Sequence, residues 1–252
     1  MEDSDLSDDD RHDTDYDTDT EDELAAAAAE CTLLTLITLL QRKRTYPKRT
    51  RKKIDRLAAE FLHKTELDIH DMLCEENPNA DDYRGLDSDR DTEDEVEAAI
   101  RLFPQVLSKR SGFQRRLPIQ FISGSDDDAC NLKAVSFLPL VARLAIEFGL
   151  FSDKKRGGLL TKDSYDYTTM KNLITAGQTK RQQHVELVDD KCLLVMQKLR
   201  QMGLLKKEDI QNYELFEQLW MNNVFSENRF RFFIEWDPTL LTIVDSTGGS
   251  TS

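Results

Sequence analysis

The sequence lacks the closely spaced cysteines of a zinc site or a small disulfide framework. Its four cysteines, Cys31, Cys74, Cys130 and Cys192, lie far apart, and none belongs to a CxxC pair. Because they lie among apolar or helix-compatible residues, we expect buried free thiols in a reducing compartment. The chain also begins with acidic residues rather than a basic segment, which does not indicate a secretory signal peptide. Both features predict an intracellular protein, cytoplasmic or nuclear.

Catalytic signatures are missing as well. The sequence contains no GxSxG, GxxxxGK[ST], GxGxxG or HExxH motif. His63, His70 and Cys74 could be considered as metal ligands, but no fourth ligand follows at a recognised spacing, which favours a structural histidine and a buried thiol. Residues 87–91 begin like a calcium-binding loop, yet the required glycine and closing glutamate are absent. We therefore predict a non-enzymatic protein with no cofactor and no metal site.

Long period-two alternation, which would indicate β-strands, is also missing. Apolar residues instead recur at helical spacing. Thr92 and Glu95 form a capping box before one such segment, and Asp189 or Asp190 is expected to cap another. The predicted fold class is all-α. The predicted core residues are Ile100, Phe103, Phe148, Leu199, Phe216, Trp220, Phe233 and Trp236.

Negative charge is concentrated at the N-terminus. Residues 1–23 hold thirteen of the acidic residues and one arginine, within a chain of net charge −14. A segment with so few apolar residues cannot offset its ordering entropy, so a disordered acidic tail is predicted. Ser7, Thr14, Thr18 and Thr20 each precede an acid by three residues, a pattern that acidophilic kinases recognise. The alternative is a tail that is merely solvating.

The longest apolar run covers residues 24–40. It is barely long enough to span a bilayer, and Glu30 with a threonine at every third position from Thr32 weakens that interpretation. We expect an apolar or amphipathic helix over residues 24–41 that packs on protein. A membrane-peripheral role for this helix is the alternative.

Basic residues follow this run at once. They predict a basic linker over residues 42–53, which is either a nuclear-import signal or an electrostatic counterpart of the acidic tail. Only one aromatic residue, Tyr46, accompanies them, which does not favour nucleic-acid binding. The candidate import-signal residues are Arg42, Lys43, Arg44, Lys48, Arg49, Arg51, Lys52 and Lys53. A helical segment and an acidic loop are predicted over residues 54–92.

One short phrase occurs twice, 134 residues apart, at residues 103–107 and 237–241. Each copy follows an apolar helical segment, contains a proline and leads into a polar turn. After the first turn, Pro118 is placed where it can begin another helix. This order of elements is typical of a helical repeat. The repeat-motif residues are Phe103, Pro104, Leu107, Leu117, Pro118, Ile119, Gln120, Trp236, Asp237, Pro238 and Leu241.

Residues 117–120 resemble the Thr-Pro-Leu-His signature of an ankyrin repeat. The surrounding text is similar to divergent ankyrin units of the lineage-specific families found in microalgae, and 134 residues is close to four ankyrin periods of roughly 33. The sequence departs from the signature at Leu117 and Gln120, and Arg115 stands where the turn glycine belongs. The resemblance implies an ankyrin-like α-solenoid over residues 93–252, with degenerate repeats truncated at the C-terminus.

An ankyrin-like array implies a protein–protein interaction scaffold with a protein partner that the sequence does not identify. The array would end without a polar cap at Ser252, which predicts either a fragment-like gene product or self-association through that end. Two other functions stay open. One is a nucleus-directed or nucleic-acid-associated regulator that uses the basic residues 42–56. The other is a membrane-peripheral protein that uses residues 24–40.

Overall fold

A computed structural model describes residues 34–78, 80–124, 130–177, 185–220 and 226–241. The predicted acidic tail, the first part of the apolar run and residues 242–252 lie outside the described residues. The chain forms two compact units that divide between residues 63 and 64. Within the described ranges the chain is mostly helical and contains no β-strand, so the all-α prediction is confirmed for them.

The N-terminal unit contains α1, described over residues 34–41, a 3₁₀ turn at Lys43–Thr45 and the first part of α2 (Lys48–Leu73). The predicted basic linker over residues 42–53 is therefore wrong from Lys48 onward. Lysine and arginine are good helix formers, and Pro47 immediately precedes the helix. Among the described helices, none combines the length and the apolar character needed to cross a membrane.

The C-terminal unit contains the end of α2 and eight further described helices. Four are longer and four have only six or seven residues. The longer helices are α3 (Glu93–Leu102), α5 (Leu138–Glu147), α7 (Val185–Gln201) and α10 (Glu227–Trp236). The shorter helices are α4 (Pro118–Ser123), α6 (Thr169–Thr175), α8 (Lys207–Asn212) and α9 (Leu215–Trp220). Further 3₁₀ segments are Pro104–Ser108, Val135–Phe137, Asp153–Gly158 and Pro238–Leu240.

The helices of the C-terminal unit stack in two layers. The longer helices form one layer, in which α3 packs on α5, α5 on α7 and α7 on α10. In the second layer α4 packs on α6 and α6 on α9, while α4 and α9 also contact α5 and α10. Longer and shorter helices thus alternate from α3 to α7, two shorter helices precede α10, and buried residues from both layers form the hydrophobic core.

The spacing of this pattern differs from the predicted period of 33 residues. The longer helices begin 45, 47 and 42 residues apart, so the two proline phrases are separated by three steps rather than four. The two intervening helices, α5 and α7, end at Gly149 and Gly203, both with positive φ. There the Leu150 and Leu204 amides bond to carbonyls five residues earlier. A glycine can end a helix just as a proline can. The two intervening steps therefore do not show the proline phrase, and the period is not visible in the sequence.

Two helix starts were predicted from capping residues. The Thr92–Glu95 capping box at the start of α3 is confirmed, since each side chain bonds the backbone amide of the other residue. The predicted cap at Asp189 or Asp190 is wrong, because α7 is already helical at Val185. The physical reason is that Asp189 has a different partner, the buried side chain of Arg229.

Arg229 occupies a polar centre inside the core. Its guanidinium bonds to Asp189 on α7 at 2.6 Å and to Ser226 at 2.5 Å. It also donates to three carbonyl oxygens at the end of α6, those of residues 173, 174 and 176, at 2.6 to 2.9 Å. Because these carbonyls have no partner within their own helix, Arg229 caps α6 and joins it to α7 and α10.

The predicted core is mostly confirmed. Ile100, Leu199, Phe216 and Phe233 are buried, and three residues are partly buried against the core, namely Phe103, Phe148 and Trp236. The prediction is wrong for Trp220, whose side chain is 45% exposed. Trp220 is the last residue of the short helix α9 and contacts the ring of Phe230, with centroids 6.0 Å apart.

Candidate interaction surface

Residues 109–116 form a tight turn between the 3₁₀ segment after α3 and helix α4. Ser111 and Arg116 exchange two backbone hydrogen bonds of 2.9 and 3.0 Å. Two residues inside the turn have positive φ, Gly112 at 70° and Arg115 at 50°. Arg115 therefore adopts a left-handed conformation that favours glycine, at a backbone cost of about 1–2 kcal/mol.

The end of the same turn is held in place by Arg116, whose side chain is buried. Its guanidinium lies 4.2 Å from the centre of the Phe121 ring and bonds to Glu76 at 2.6 Å. A further bond reaches the carbonyl oxygen of Gly124. These contacts fix the base of the turn to α4 and to the segment after α2.

A second turn covers residues 161–167, before helix α6. The Asp163 carboxylate accepts the backbone N–H groups of Tyr165 and Tyr167 at 2.8 and 2.9 Å. Asp166 has a φ of 69°, and its carboxylate pairs with Lys162 at 2.7 Å. The turn is thus shaped by its own side chains, as aspartate-rich turns commonly are.

The two turns are bonded to each other. The Ser164 amide and hydroxyl both donate to the Gln114 carbonyl oxygen, at 3.1 and 2.8 Å. From the other side, the Arg110 guanidinium donates to the Lys162 carbonyl oxygen at 3.2 Å. These hydrogen bonds join the two turns into one continuous surface.

Gln120 ties this pair of turns to helix α4. Its side-chain oxygen accepts the Leu117 amide at 2.7 Å, which caps the helix. Its side-chain nitrogen donates to the carbonyl oxygens of Thr161 and Tyr167, at 3.2 and 3.0 Å. Leu117 cannot cap the helix with its own side chain, so Gln120 performs that function from three residues later.

Within the described chain, the exposed side chains of the two turns include aromatic residues, unpaired basic residues and one ion pair, Lys162–Asp166. Phe113 is 92% exposed and Tyr165 is 55% exposed, and Lys109, Arg110 and Arg115 are exposed beside them in the chain. Among the described residues, no carboxylate lies within ion-pair distance of these three cations. We name the exposed side chains of residues 109–116 and 161–167 the paired-turn surface.

Sequence reasoning did not select Phe113. The available signal was a large aromatic residue that directly follows Gly112 in a turn with four basic residues and no acid. It was missed because a turn between helices is expected to carry polar residues, and a single apolar residue at the surface is common.

The predicted repeat-motif residues serve the framework instead. Leu107, Leu117, Pro118, Ile119 and Gln120 are buried, whereas Phe103, Pro104 and Trp236 are half-buried. The carboxylate of Asp237 is buried and bonds to Thr239 and Lys207. Pro238 and Leu241 are exposed. The two phrases end different helices, α3 and α10, and do not form one site.

The predicted import-signal residues lie in the N-terminal unit. Lys43 is half-buried and pairs with Asp55, while the other seven are exposed. Those exposed residues are Arg42, Arg44, Lys48, Arg49, Arg51, Lys52 and Lys53. Five of them occupy the first two turns of α2, where positive charge is unfavourable for the helix dipole.

The histidine and thiol considered as metal ligands form a structural contact. The His70 Nε2 atom lies 3.3 Å from the Lys109 carbonyl oxygen and 3.6 Å from the Cys74 sulfur. Burial raises the pKa of Cys74 to about 12, with the Asp71 carboxylate acting in the same direction. A thiol that stays protonated is a poor nucleophile, which favours the structural interpretation.

The acidic run that resembles a calcium loop is occupied by protein partners. The Asp91 carboxylate accepts the Asp87 amide at 2.9 Å and pairs with Arg90. Asp87 in turn pairs with Lys133 at 3.2 Å. In the described parts of the chain, no cluster of three or more metal-ligating side chains occurs.

No protein-family model, no curated protein and no solved structure matches the chain.

Proposed function

We propose that this chain is a non-enzymatic protein–protein interaction scaffold built on degenerate helical repeats, and that the paired-turn surface binds an acidic protein segment. One observation carries the proposal. Phe113 is 92% exposed at the tip of a turn whose conformation is fixed on several sides. A rigid, exposed aromatic residue loses little conformational entropy when a partner covers it.

The charge around Phe113 defines the partner. Lys109, Arg110 and Arg115 supply three exposed cations within seven residues. Complementary charge increases the association rate and selects against basic partners. Arginine and aromatic side chains are also the residue types most often found at energetic hot spots of interfaces. An acidic segment with one large apolar side chain fits this combination.

The arrangement of elements supports the scaffold as a whole. Stacked units of a longer helix, a turn and a shorter helix place successive turns side by side, as in repeat proteins. Ser164 in the later turn bonds to Gln114 in the earlier one, so neighbouring turns support each other. Binding surfaces in such arrays consist of exposed turn residues on a rigid framework.

The test uses the full chain and two labelled peptides measured by fluorescence anisotropy. The first peptide is rich in Asp and Glu and contains one Phe, and the second replaces each acid by its amide. We expect only the acidic peptide to bind, and more weakly as salt is raised. Phe113→Ser and Arg115→Gly are each expected to weaken binding about tenfold.

The matched control is Leu194→Ser on α7, which removes another exposed large apolar side chain. We expect it to leave peptide affinity unchanged. Arg115→Gly keeps the positive φ of the turn without strain, so its effect reports the lost charge. Equal affinity for the two peptides, or an equal loss in Leu194→Ser and Phe113→Ser, would contradict the proposal.

A further inference from the structure

Two cysteines lie side by side inside the C-terminal unit. The sulfur atoms of Cys130 and Cys192 are 3.8 Å apart, although 62 residues separate them in the chain. Both side chains are buried in the hydrophobic core. The spacing of cysteines in the sequence did not predict this contact, because it arises from the packing of α7 on the 3₁₀ turn Val135–Phe137.

The two segments that carry these cysteines are bonded together. Lys191, which adjoins Cys192 on α7, donates to the Leu132 carbonyl oxygen at 2.9 Å. Leu132 lies two residues after Cys130, so this bond holds the two cysteine-bearing segments in register. The contact between the sulfurs is therefore supported by a second, polar contact.

A disulfide requires its sulfurs to be about 2.05 Å apart, so these two must approach by roughly 1.8 Å. Side-chain rotation and a small backbone movement supply a displacement of this size. We propose that Cys130 and Cys192 form a redox modification site, at which hydrogen peroxide converts the two thiols into a reversible intramolecular disulfide.

The reaction balances with one molecule of hydrogen peroxide. The Cys192 sulfur attacks one peroxide oxygen, the S–O bond forms as the O–O bond breaks, and the thiol proton leaves with the other oxygen as water. The Cys130 sulfur then attacks the sulfenic acid, the S–S bond forms, and the S–O bond breaks with loss of a second water. The two thiols lose two electrons in total, and the peroxide is reduced.

The surroundings favour Cys192 as the first nucleophile. The hydrogen bond from Cys130 lowers the pKa of Cys192, and the Arg229 guanidinium acts in the same direction. The same contact raises the pKa of Cys130, as does its burial. Among the described residues, Lys191 and Asp189 also act electrostatically on the pair, Lys191 on Cys130 and Asp189 on Cys192. Because the thiolate is the reactive form, oxidation begins at the sulfur with the lower pKa.

Peptide mapping of the folded wild-type chain tests the proposal directly. The protein is treated with hydrogen peroxide, alkylated under denaturing conditions and digested without reductant. We expect a cross-linked peptide pair that contains Cys130 and Cys192, with a mass two hydrogens below that of its thiols, and its release by dithiothreitol. Alkylation of both residues, or a link from either to Cys31, Cys74 or a second molecule, would overturn the proposal.

Thermal unfolding gives a second readout. A cross-link across 62 residues restricts the unfolded chain, so oxidation should raise the Tm by roughly 5–10 °C. The Cys74→Ser variant should show the same link and the same shift, whereas Cys130→Ser and Cys192→Ser should show neither. A lower Tm after oxidation of the wild type, or a shift that persists in Cys130→Ser, would contradict the inference.

Discussion

Two regions of the C-terminal unit use arginine in opposite ways. Inside the core, every nitrogen of the Arg229 guanidinium donates a hydrogen bond, and the side chain is fully buried. On the paired-turn surface, Arg115 is exposed and has no carboxylate partner among the described residues. The role of an arginine is therefore indicated by its hydrogen-bond partners and not by its presence alone. Saturated donors indicate a structural role, and free donors beside an exposed aromatic residue are what the proposed binding role requires.

The comparison predicts opposite effects on stability and on binding. Substitutions at the buried centre should lower the free energy of unfolding strongly. Changes at the paired-turn surface should alter affinity and leave stability nearly unchanged, since surface substitutions are usually within about 0.5 kcal/mol.

The largest effect is expected for Arg229→Met. It preserves an apolar stem but leaves the Asp189 carboxylate and the α6 carbonyl groups buried without their partner. Breaking a buried ion pair from one side costs about 3–5 kcal/mol. Urea denaturation followed by circular dichroism measures the change.

The control for that variant lies on the same helix. Arg231 is exposed and pairs with Glu227 one turn earlier, so Arg231→Met should cost less than about 1 kcal/mol. A similar loss in both variants would show that the contacts of Arg229 contribute little.

An intermediate effect is expected for Gln120→Leu, which removes the cap of α4 and two bonds to the second turn. Three hydrogen bonds are lost, and each contributes a net of about 0.5–1.5 kcal/mol, so we expect a total loss of about 2–4 kcal/mol in urea denaturation. Gln105→Leu, at an exposed position, is the matched control and should be nearly neutral. Because Gln120 also positions the turns, peptide affinity should fall in Gln120→Leu but not in the control.

The smallest effect is expected in the ion-pair group that joins α3 and α5. Arg101 pairs with Glu97 and Glu147, and Arg143 also bonds to Glu97. The hydrogen bonds from Arg143 and then Arg101 lower the pKa of Glu97 below its ordinary value of 4.5. A carboxyl group whose pKa is lowered by folding stabilises the fold at pH values above its ordinary pKa. This contribution is lost as the pH falls through the lowered pKa of the folded state.

Glu97→Gln should therefore lower the Tm by about 1–3 °C at pH 7. The difference from the wild type should disappear at a pH well below 4.5 and shrink in high salt. Differential scanning fluorimetry across pH and salt measures it. A difference that stays constant down to acid pH would show that the substitution acts through packing rather than charge.

Local signals in the sequence predicted the positions of helices better than the tertiary contacts of their residues. The capping box of α3 and the proline at the start of α4 are confirmed because both depend on residues within one turn of helix. The prediction of a linker at Lys48 was wrong although its signals are local, since the basic residues there form helices well. The cap at Asp189 was wrong because this residue pairs with Arg229, 40 residues away. Trp220 follows the helical stripe of Phe216, but its indole is 45% exposed.

The candidate surface was less accessible to prediction than the fold. The motif at residues 117–120 pointed to a turn and a helix, yet its side chains are buried and support the turns from below. Phe113 became a candidate only when its exposure was known. The pairing of Ser164 with Gln114 joins residues 50 apart, and no periodicity predicts such a bond.

The helical class, several helix ends and the polar character of the turns can be predicted from the order of residues, because each depends on residues within one or two helical turns. The saturation of polar groups, the exposure of an aromatic residue and the contact between two cysteines are set by the folded arrangement. Those properties depend on contacts between residues tens of positions apart. Hydrophobic packing brings such residues together without leaving a regular mark on the order of residues in the chain.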